Sequence, residues 1–385
     1  MQARTAATLA SQEDHRQAHA RTGNPHLLRL KEFAHRNRIL AALLDFRRRR
    51  RLERDFARHL AASVGAAIQW REAKEPLRLA GDIVARLLRS PEPLPRKGSP
   101  SIVGIRAQDV ALLAEAVSAG SRFGAKELAA AARIASLEPV NLDAFKLYLA
   151  MLWLTNEPTI AQLRRTRAEL IALHMSCEPR LARAERSIES FAAAQAPPLA
   201  HVKLIGTGDR YAFDARTAVL GVPSSDGYQA LPQKVFQGLA LLTLACNPRC
   251  VLKLDDDHRL ADARELERIL QFASRADAPL QLGEVNRVPL PSAHHRAWHF
   301  GKCGDAPIGS QVLEMPTPLE WAAGSAGYVL NRAALWRVLW SSLYYARWLE
   351  EIVYEDMALA EVAAKTGIRI VRTDMRRAIG AVADY

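Results

Sequence analysis

From residue 166 onward, short apolar runs alternate with helical stretches, and this alternation constrains the fold more than any other feature of the chain. A short apolar run bounded by polar residues is typical of a buried strand. Strands that are separated by helices favour a mostly parallel sheet with both faces covered. Four runs are predicted to be strands: Glu169–Met175, His201–Ile205, Ala218–Val222 and Val251–Leu254. Two intervening helices are predicted at Arg180–Phe191 and Leu231–Ala245.

The last of these strands runs directly into three consecutive carboxylates, Asp255, Asp256 and Asp257. In open α/β sheets, ligands bind in the crevice at the carboxyl ends of the strands. Adjacent carboxylates repel one another, and a hard divalent cation such as Mg²⁺, which prefers oxygen ligands, relieves that repulsion. The stretch therefore suggests a site for a metal and a diphosphate. Considered alone, a solvated acidic turn explains the three aspartates equally well.

The first 160 residues follow a different pattern, which predicts an all-α domain. Residues 1–25 are polar without apolar periodicity and are expected to form a flexible tail. Residues 26–160 have helical periodicity, interrupted by a Pro-rich linker at 90–101. After the linker, three helices are predicted: Asp109–Val117, Ala125–Leu137 and Leu142–Leu154.

The alanine-rich part of this region resembles the end of a tetratricopeptide-type helical hairpin, from Ala129 to Ala144. It contains one partial repeat, whereas arrays of such repeats need about three to be stable. The region is expected to dock a protein partner or the domain that follows it.

The net charge of +12 is compatible with three kinds of partner: a nucleic acid, an anionic membrane, or an anionic substrate such as a sugar nucleotide. The run Arg47–Arg51 would suit nucleic acid or acidic lipid, but a solvated turn between helices is the preferred explanation. Neither base-stacking aromatic residues nor a known nucleic-acid module accompanies the run, so nucleic acid is not expected. No secretory signal or spanning segment is visible, which favours a cytoplasmic protein with optional peripheral contact at the inner membrane face.

Four stretches in one order carry a family resemblance. They are Asp226-Gly227-Tyr228 with Leu231 and Lys234, then Lys253–Asp257, then Trp321–Arg332, and finally Tyr354–Met357. Together they resemble the β-1,3-galactosyltransferase family of inverting, UDP-sugar-dependent glycosyltransferases. Gly283–Asn286 resembles the strand that follows the family's acidic motif, and the likeness covers roughly residues 166–385.

The resemblance implies a GT-A fold, which is a Rossmann-like mixed sheet with flanking helices, at 166–385. It also implies a UDP-sugar donor and a divalent metal, Mn²⁺ or Mg²⁺, held by Asp257 and Asp255. Asp255 is counted with the donor-binding residues as well, near the ribose or in the metal shell. Asp256 is also counted with them, although successive side chains of an extended segment face opposite ways. Lys234, Arg180 and Arg183 would add positive potential at the phosphates, and a solvated position for Lys234 is the alternative.

The resemblance further implies that Asp356 is the catalytic base, with Glu355 beside it or contacting the acceptor. An ordinary helix N-terminus explains the same two carboxylates when they are considered alone. The acceptor or sugar is expected at a fourth group of residues: Trp321, Gly324, Ser325, Gly327, Tyr328 and Glu284. Core packing is the alternative for the two aromatic residues. The stretch His294–His299 is interpreted as a loop near the donor or acceptor.

One departure from the family concerns the metal. Many members supply a further histidine ligand after the base motif, and here no histidine follows His299. Either a water or Asp374 would then complete the metal shell, or the metal would be bound weakly. The leading hypothesis is a glycosyltransferase that moves a hexose or N-acetylhexosamine, galactose favoured, to a hydroxyl of a glycan or lipid-linked acceptor. The alternative is a helical-repeat adaptor that carries a degenerate transferase domain.

Overall fold

The computed structural model describes residues 76–89, 100–120, 123–137, 142–194, 197–287, 301–303 and 320–381. Several sequence predictions lie outside these residues. They are the tail at 1–25, the helices expected between 26 and 75, the run Arg47–Arg51, most of the linker and the stretch His294–His299.

Among the described residues, five helices precede the first strand: α1 (Pro76–Arg89), α2 (Pro100–Ala119), α3 (Ala125–Leu137), α4 (Leu142–Thr155) and α5 (Glu157–Arg165). The predicted helices at α3 and α4 are confirmed. Helix α2 is longer than the predicted Asp109–Val117, because it begins at Pro100 inside the stretch that was assigned to the linker. Proline suits the first helical position, since its missing N–H would have no partner within the helix there. Whether these helices form a separate domain stays a prediction.

The rest of the described chain is built from twelve strands and seven further helices. The strands are β1 (Leu170–Met175), β2 (Ala200–Gly206), β3 (Ala212–Asp214), β4 (Val219–Val222), β5 (Cys250–Asp255), β6 (His258–Leu260), β7 (Leu280–Gly283), β8 (Val285–Arg287), β9 (Glu320–Ala322), β10 (Tyr328–Asn331), β11 (Arg369–Arg372) and β12 (Ile379–Ala381). The helices are α6 (Leu181–Ala193), α7 (Leu231–Cys246), α8 (Ala263–Arg275), α9 (Arg332–Tyr344), α10 (Ala346–Glu351), α11 (Glu355–Thr366) and α12 (Met375–Ala378).

Eight strands form one mixed, mostly parallel sheet in the order β11-β7-β10-β5-β1-β2-β4-β3. The pairs of β1 with β2 and β5 are parallel, whereas β10 runs antiparallel to both of its neighbours, β5 and β7. The predicted α/β class is therefore confirmed, and so are the four predicted strands. The pair β6–β12 and the pair β8–β9 lie outside this sheet.

The register of the sheet brings three chain segments to one edge. Met175 at the end of β1 pairs with Asp255 at the end of β5. Because β10 is antiparallel, its first residue, Tyr328, pairs with Lys253 near the end of β5. The residues after β1, the residues after β5 and the residues before β10 therefore meet at the carboxyl edge, where ligands bind in open α/β sheets.

Helices pack on the sheet and bury its apolar side chains. Helix α7 has buried residues along nearly its whole length, and it contacts β2, β4 and the helix α9. Another core cluster joins the apolar residues of α8 to those of β5, β7 and β10. A helix that is apolar all round is typical of an element packed between others. Within the described residues, no helix combines the length and the apolar character that a membrane span requires.

Helix α7 approaches β2 closely at Gly238, where a side chain would not fit. A Cβ atom at this position would lie 2.8 and 2.9 Å from the two terminal carbons of Leu204, which is fully buried. We expect Gly238→Ala to lower the free energy of unfolding by about 1–3 kcal/mol, the usual cost of overpacking a core. Urea denaturation measures this change, with Gln237→Ala on the same helix as the control. An unchanged urea midpoint for Gly238→Ala would contradict the close packing.

Candidate functional site

A cavity of about 600 Å³ opens at the carboxyl edge of the sheet. Its described wall includes ten of the residues that the sequence analysis singled out: Arg180, Lys234, Asp255, Asp256, Asp257, Trp321, Gly324, Ser325, Glu355 and Asp356. Nine of these residues come from the four motifs, which are spread over more than a hundred positions of the chain, and Arg180 comes from the segment after β1. The fold therefore brings the four motifs to one concave site, which is the usual form of a small-molecule site.

All three aspartates at the end of β5 and in the turn after it contact cationic side chains at the cavity. The Asp255 Oδ1 atom lies 2.8 Å from the Lys253 Nζ, and the Asp257 Oδ2 atom lies 3.0 Å from the Arg183 Nη2. Burial acts to raise the pKa of Asp255, but its neighbours Lys253, His258 and Lys302 together outweigh burial and hold that pKa below its usual value. Asp255 is therefore ionised at neutral pH and suited to bind a cation.

Asp256 lies with Asp257 in the turn after β5, and not in an extended segment as the sequence analysis expected. Its Oδ1 atom lies 3.8 Å from the Nε of Arg183, which also contacts Asp257. Asp256 is 6% exposed, and its Oδ2 atom accepts a hydrogen bond of 3.1 Å from the Ser176 hydroxyl just after β1. Burial raises the pKa of Asp256. Its contacts tie the loop after β5 to the loop after β1.

Asp255, Asp257 and His258 form a group that could hold a metal ion, with candidate ligand atoms within 4.8 Å of one another. The two carboxylates fit this role, because each uses one oxygen in its ion pair and has a second oxygen. His258 fits less well. Its Nδ1 accepts from the Asp255 backbone N–H at 2.9 Å, and its Nε2 lies 2.9 Å from the Ser325 carbonyl oxygen. Metal binding by His258 would therefore require one of these hydrogen bonds to break.

Asp374, which the sequence analysis offered as a further metal ligand, lies elsewhere. Its side chain is exposed and caps helix α12, where the Asp374 Oδ1 accepts a hydrogen bond of 3.1 Å from the Arg377 backbone N–H. An aspartate at a helix N-terminus satisfies a backbone donor that has no partner within the helix. The alternative of Asp374 as a metal ligand is therefore corrected to a helix cap.

Asp356, at the start of helix α11, is held by backbone donors on the cavity wall. Its Oδ2 accepts from the Gly324 N–H at 3.0 Å, and its Oδ1 accepts from the Met357 N–H at 2.9 Å. Each oxygen keeps capacity for a further donor such as a substrate hydroxyl. Burial raises the pKa of Asp356, against the effect of the Gly324 N–H. A carboxylate with a raised pKa and a fixed position can act as a general base.

Glycine is needed at Gly324 for this approach. A Cβ atom there would lie 3.0 Å from the Glu355 Oε2 and 3.4 Å from the Asp356 Cβ. The short 3₁₀ turn Gly324–Ala326 between β9 and β10 thus lets the start of α11 come close to the end of β5. Through this turn, the Gly-rich motif contacts the base motif.

Glu355 is buried beneath the cavity with only 4% of its surface exposed. It accepts a hydrogen bond from the Tyr328 hydroxyl, and its Oε2 lies 3.5 Å from the Lys253 Nζ. Burial raises the pKa of Glu355, and the Lys253 ammonium acts in the opposite direction. These contacts fix Glu355, and a fixed Glu355 helps to hold its neighbour Asp356 in position.

Lys234 is not solvated, which was the alternative in the sequence analysis. It is 2% exposed, and its Nζ donates to the Ser176 carbonyl oxygen at 2.7 Å and to the Asp226 Oδ1 at 3.0 Å. Asp226 also accepts from the Gly206 N–H at 2.7 Å and from the Glu178 N–H at 2.6 Å. The pair of Lys234 and Asp226 therefore joins the loops after β1, β2 and β4.

Cationic side chains surround Asp257 on the side of the cavity next to β1. Arg180 and Lys302 line the described wall, and Arg183 contacts Asp257 from the first turn of α6. The Lys302 Nζ also lies 5.3 Å from the centre of the Tyr228 ring, a cation–π distance. Burial lowers the pKa of Lys302, and Asp255 acts against that change. This side of the cavity presents positive charge to an anionic ligand.

The remaining predicted residues occupy different places. Trp321 is 9% exposed and lines the cavity together with Ser325. Tyr328 is fully buried under the cavity, so its ring packs in the core, which was the alternative in the sequence analysis. Gly327 has a φ of 74° and packs against β5, where a Cβ would lie 3.0 Å from the Lys253 carbonyl oxygen. Glu284 lies beside the described wall, 3.5 Å from Arg372.

The sequence analysis assigned no role to several residues that shape this site: Ser176, Asp226, Lys253, His258 and Lys302. The sequence did contain a clue to the role of Lys253, because a lysine inside the apolar run Val251–Leu254 must find an anionic partner when it is buried. Asp226 and Lys234 were part of one motif, but the contacts of Lys234 depend on the meeting of the loops after β1 and β4. Lys302 lies outside every motif that the sequence analysis used.

Comparisons with known proteins do not place the chain in a family. No protein-family model matches it, and no curated protein matches it at a significant level. The resemblance to glycosyltransferases therefore stays a prediction that is supported by the residues of this cavity.

Proposed function

We propose that the protein is an inverting glycosyltransferase of GT-A fold that uses a UDP-sugar donor. It moves a hexose or an N-acetylhexosamine, with galactose favoured, to a hydroxyl group of a glycan or a lipid-linked acceptor. The observation that carries the proposal is that the acidic motif after β5 and the base motif at α11 line one cavity, together with the other two motifs. No single motif would support the proposal in the same way, because each one is common.

The charge of the cavity supports an anionic donor bound with a divalent cation. Six carboxylates and four cationic side chains line the described wall, which leaves two more negative than positive groups when all are ionised. The carboxylates are Asp226, Asp255, Asp256, Asp257, Glu355 and Asp356, and the cations are Arg180, Lys234, Lys253 and Lys302. Arg183, which contacts Asp257 from outside this wall, offsets one of these two negative charges. A divalent cation would neutralise the one that remains and leave positive charge for an anionic donor. Asp255 and Asp257 would hold this cation, Mn²⁺ or Mg²⁺, and when bound it would neutralise charge on a nucleoside diphosphate leaving group.

The residues of the chain have separate roles in this proposal. Arg180, Arg183 and Lys302 bind the diphosphate and orient it toward Asp257. Asp356 takes the proton of the acceptor hydroxyl as that oxygen attacks the anomeric carbon, and the leaving group departs from the opposite face, so the configuration inverts. Trp321 and Ser325 line the space for the sugar or the acceptor.

The first test is a calorimetric titration of UDP into the protein with and without Mn²⁺. We expect binding that depends on Mn²⁺ and that weakens at least about tenfold in Asp257→Ala, because a carboxylate ligand of the cation is lost. The control is Asp277→Ala, which removes an exposed aspartate and should leave binding unchanged. Release of sugar from UDP-galactose and UDP-N-acetylhexosamines is then measured on the same variants.

Two results would count against the proposal. Equal affinity for UDP in the wild type and Asp257→Ala would show that the acidic motif does not hold the donor. An absence of UDP binding in every condition would favour the adaptor alternative, in which the helical region binds a protein partner.

A further inference from the structure

A buried lysine near the end of strand β5 lines the cavity. Lys253 is 1% exposed, and a buried charge is costly unless it is paired. Its Nζ lies 2.8 Å from the Asp255 Oδ1 and 3.5 Å from the Glu355 Oε2. Two carboxylates therefore share this one ammonium group. One of them belongs to the acidic motif and the other to the base motif.

The surroundings of Lys253 fix its position. Its Nζ lies 3.5 Å from the Gly324 carbonyl oxygen and 5.6 Å from the centre of the Tyr328 ring. Tyr328 pairs with Lys253 across the strands β5 and β10, and its hydroxyl donates to Glu355. A continuous network therefore runs from Asp255 through Lys253 to Glu355. Asp356 follows Glu355 directly and accepts from the backbone of Gly324, the same residue that Lys253 contacts.

Lys253 also competes with any cation for Asp255. The ammonium occupies one oxygen of this carboxylate, and its positive charge repels a second cation nearby. A nucleoside diphosphate brings negative charges that offset this repulsion. A cation that binds without a nucleotide has no such negative charges beside it.

We propose that Lys253 is a positioning residue that joins the acidic motif to the base motif and keeps the affinity of Asp255 and Asp257 for a free divalent cation low. The proposal rests on the proposed function, because it assigns these carboxylates to a cation and Asp356 to the base. Loss of Lys253 should therefore have two opposite effects: cation binding becomes tighter, whereas turnover falls because Glu355 and Asp356 lose their fixed position.

The test uses the full chain with Lys253→Met. Mn²⁺ binding in the absence of nucleotide is followed by electron paramagnetic resonance of the free ion, and kcat and KM are measured for transfer from the UDP-sugar. We expect Mn²⁺ to bind at least about tenfold more tightly, because a nearby positive charge is removed. We expect kcat to fall at least about tenfold, with a smaller change in the KM for the donor.

The matched control is Lys203→Met. Lys203 is also a buried lysine of the central sheet, 2% exposed, and it pairs with a single carboxylate, Glu185, away from the described cavity wall. Its loss should destabilise the fold without changing the affinity for Mn²⁺. If Lys253→Met does not fold, the double variant Lys253→Met/Glu355→Gln removes the ammonium together with one of its two carboxylate partners, so that Glu355 is not left as an unpaired buried charge. This variant should also bind Mn²⁺ more tightly than the wild type.

The outcomes separate this inference from the proposed function. Unchanged or weaker binding of Mn²⁺ in a folded variant that lacks Lys253 would overturn the inference, and so would the same gain in Lys203→Met. Tighter binding of Mn²⁺ in Lys253→Met, combined with no sugar transfer by the wild type, would support the effect of Lys253 on the cation and reject the transferase proposal.

Discussion

Asp356→Asn is expected to lower the kcat of sugar transfer by about 10²–10⁴-fold, the contribution that a positioned general base makes. The asparagine side chain keeps the size and one carbonyl oxygen of the aspartate, so the hydrogen bond from the Gly324 N–H can persist. It cannot accept the proton of the acceptor hydroxyl. Affinity for UDP should therefore stay close to that of the wild type while turnover is lost.

The pH dependence of the wild type should report the same group. Burial raises the pKa of Asp356, and the base acts only in its ionised form. The kcat should therefore rise with pH through this raised pKa, and it should be lost on acidification at a higher pH than an ordinary aspartate would give. A pH–rate profile from acid to neutral pH tests this direction.

The control for Asp356→Asn is Glu361→Gln, which changes a carboxylate of the same helix. Glu361 pairs with Lys365 on that helix and is not part of the described cavity wall. Its replacement should leave kcat and the pH profile unchanged. If Asp356→Asn kept more than about a tenth of the wild-type kcat, another group would have to be the base.

The sequence predicted the parts of the fold in which local pattern and tertiary environment agree. Strand β5 could be predicted from the sequence because an apolar run is typical of a central parallel strand that is buried on both faces. Helix α7 was readable from its length and apolar content. The placement of the acidic motif at a cavity followed from one general rule, since the carboxyl ends of parallel strands meet at one edge of the sheet.

Strand β10 was missed, and the reason is tertiary. It has four residues, and it lies between β5 and β7, so its pairing depends on partners that are about fifty or more positions away. A Gly-rich turn precedes it, and the sequence analysis predicted no strand for the segment. Contacts that depend on this pairing, such as that of Tyr328 with Glu355, could not be predicted from local pattern.

The role of Lys234 shows the same limit. The resemblance counted it among residues near the phosphates, whereas the structure buries its ammonium between Ser176 and Asp226. A lysine at the first turn of a helix gives no local sign of which way its side chain points. Only the meeting of the loops after β1 and β4 places the acceptors around it.

Lys234→Met is expected to lower the free energy of unfolding by about 3 kcal/mol, at the lower end of the cost of breaking a buried ion pair. Methionine fills a similar volume, so the main loss is electrostatic. Asp226 would keep its two backbone donors but lose its counter-ion, and the Ser176 carbonyl oxygen would lose a donor. Asp226 keeps 24% of its side chain exposed, which limits the cost through partial solvation.

Urea denaturation of three variants separates a structural role of Lys234 from a role in binding phosphate. Lys234→Met should shift the midpoint to lower urea, and the double variant Lys234→Met/Asp226→Asn should recover part of the loss, because no unpaired charge remains. Arg347→Met, which removes the exposed arginine of an (i, i+4) pair with Glu351, should cost less than about 0.5 kcal/mol. If Lys234→Met instead left the midpoint unchanged and weakened UDP binding, Lys234 would contact the donor, and its ammonium would have to leave Asp226 when the nucleotide binds.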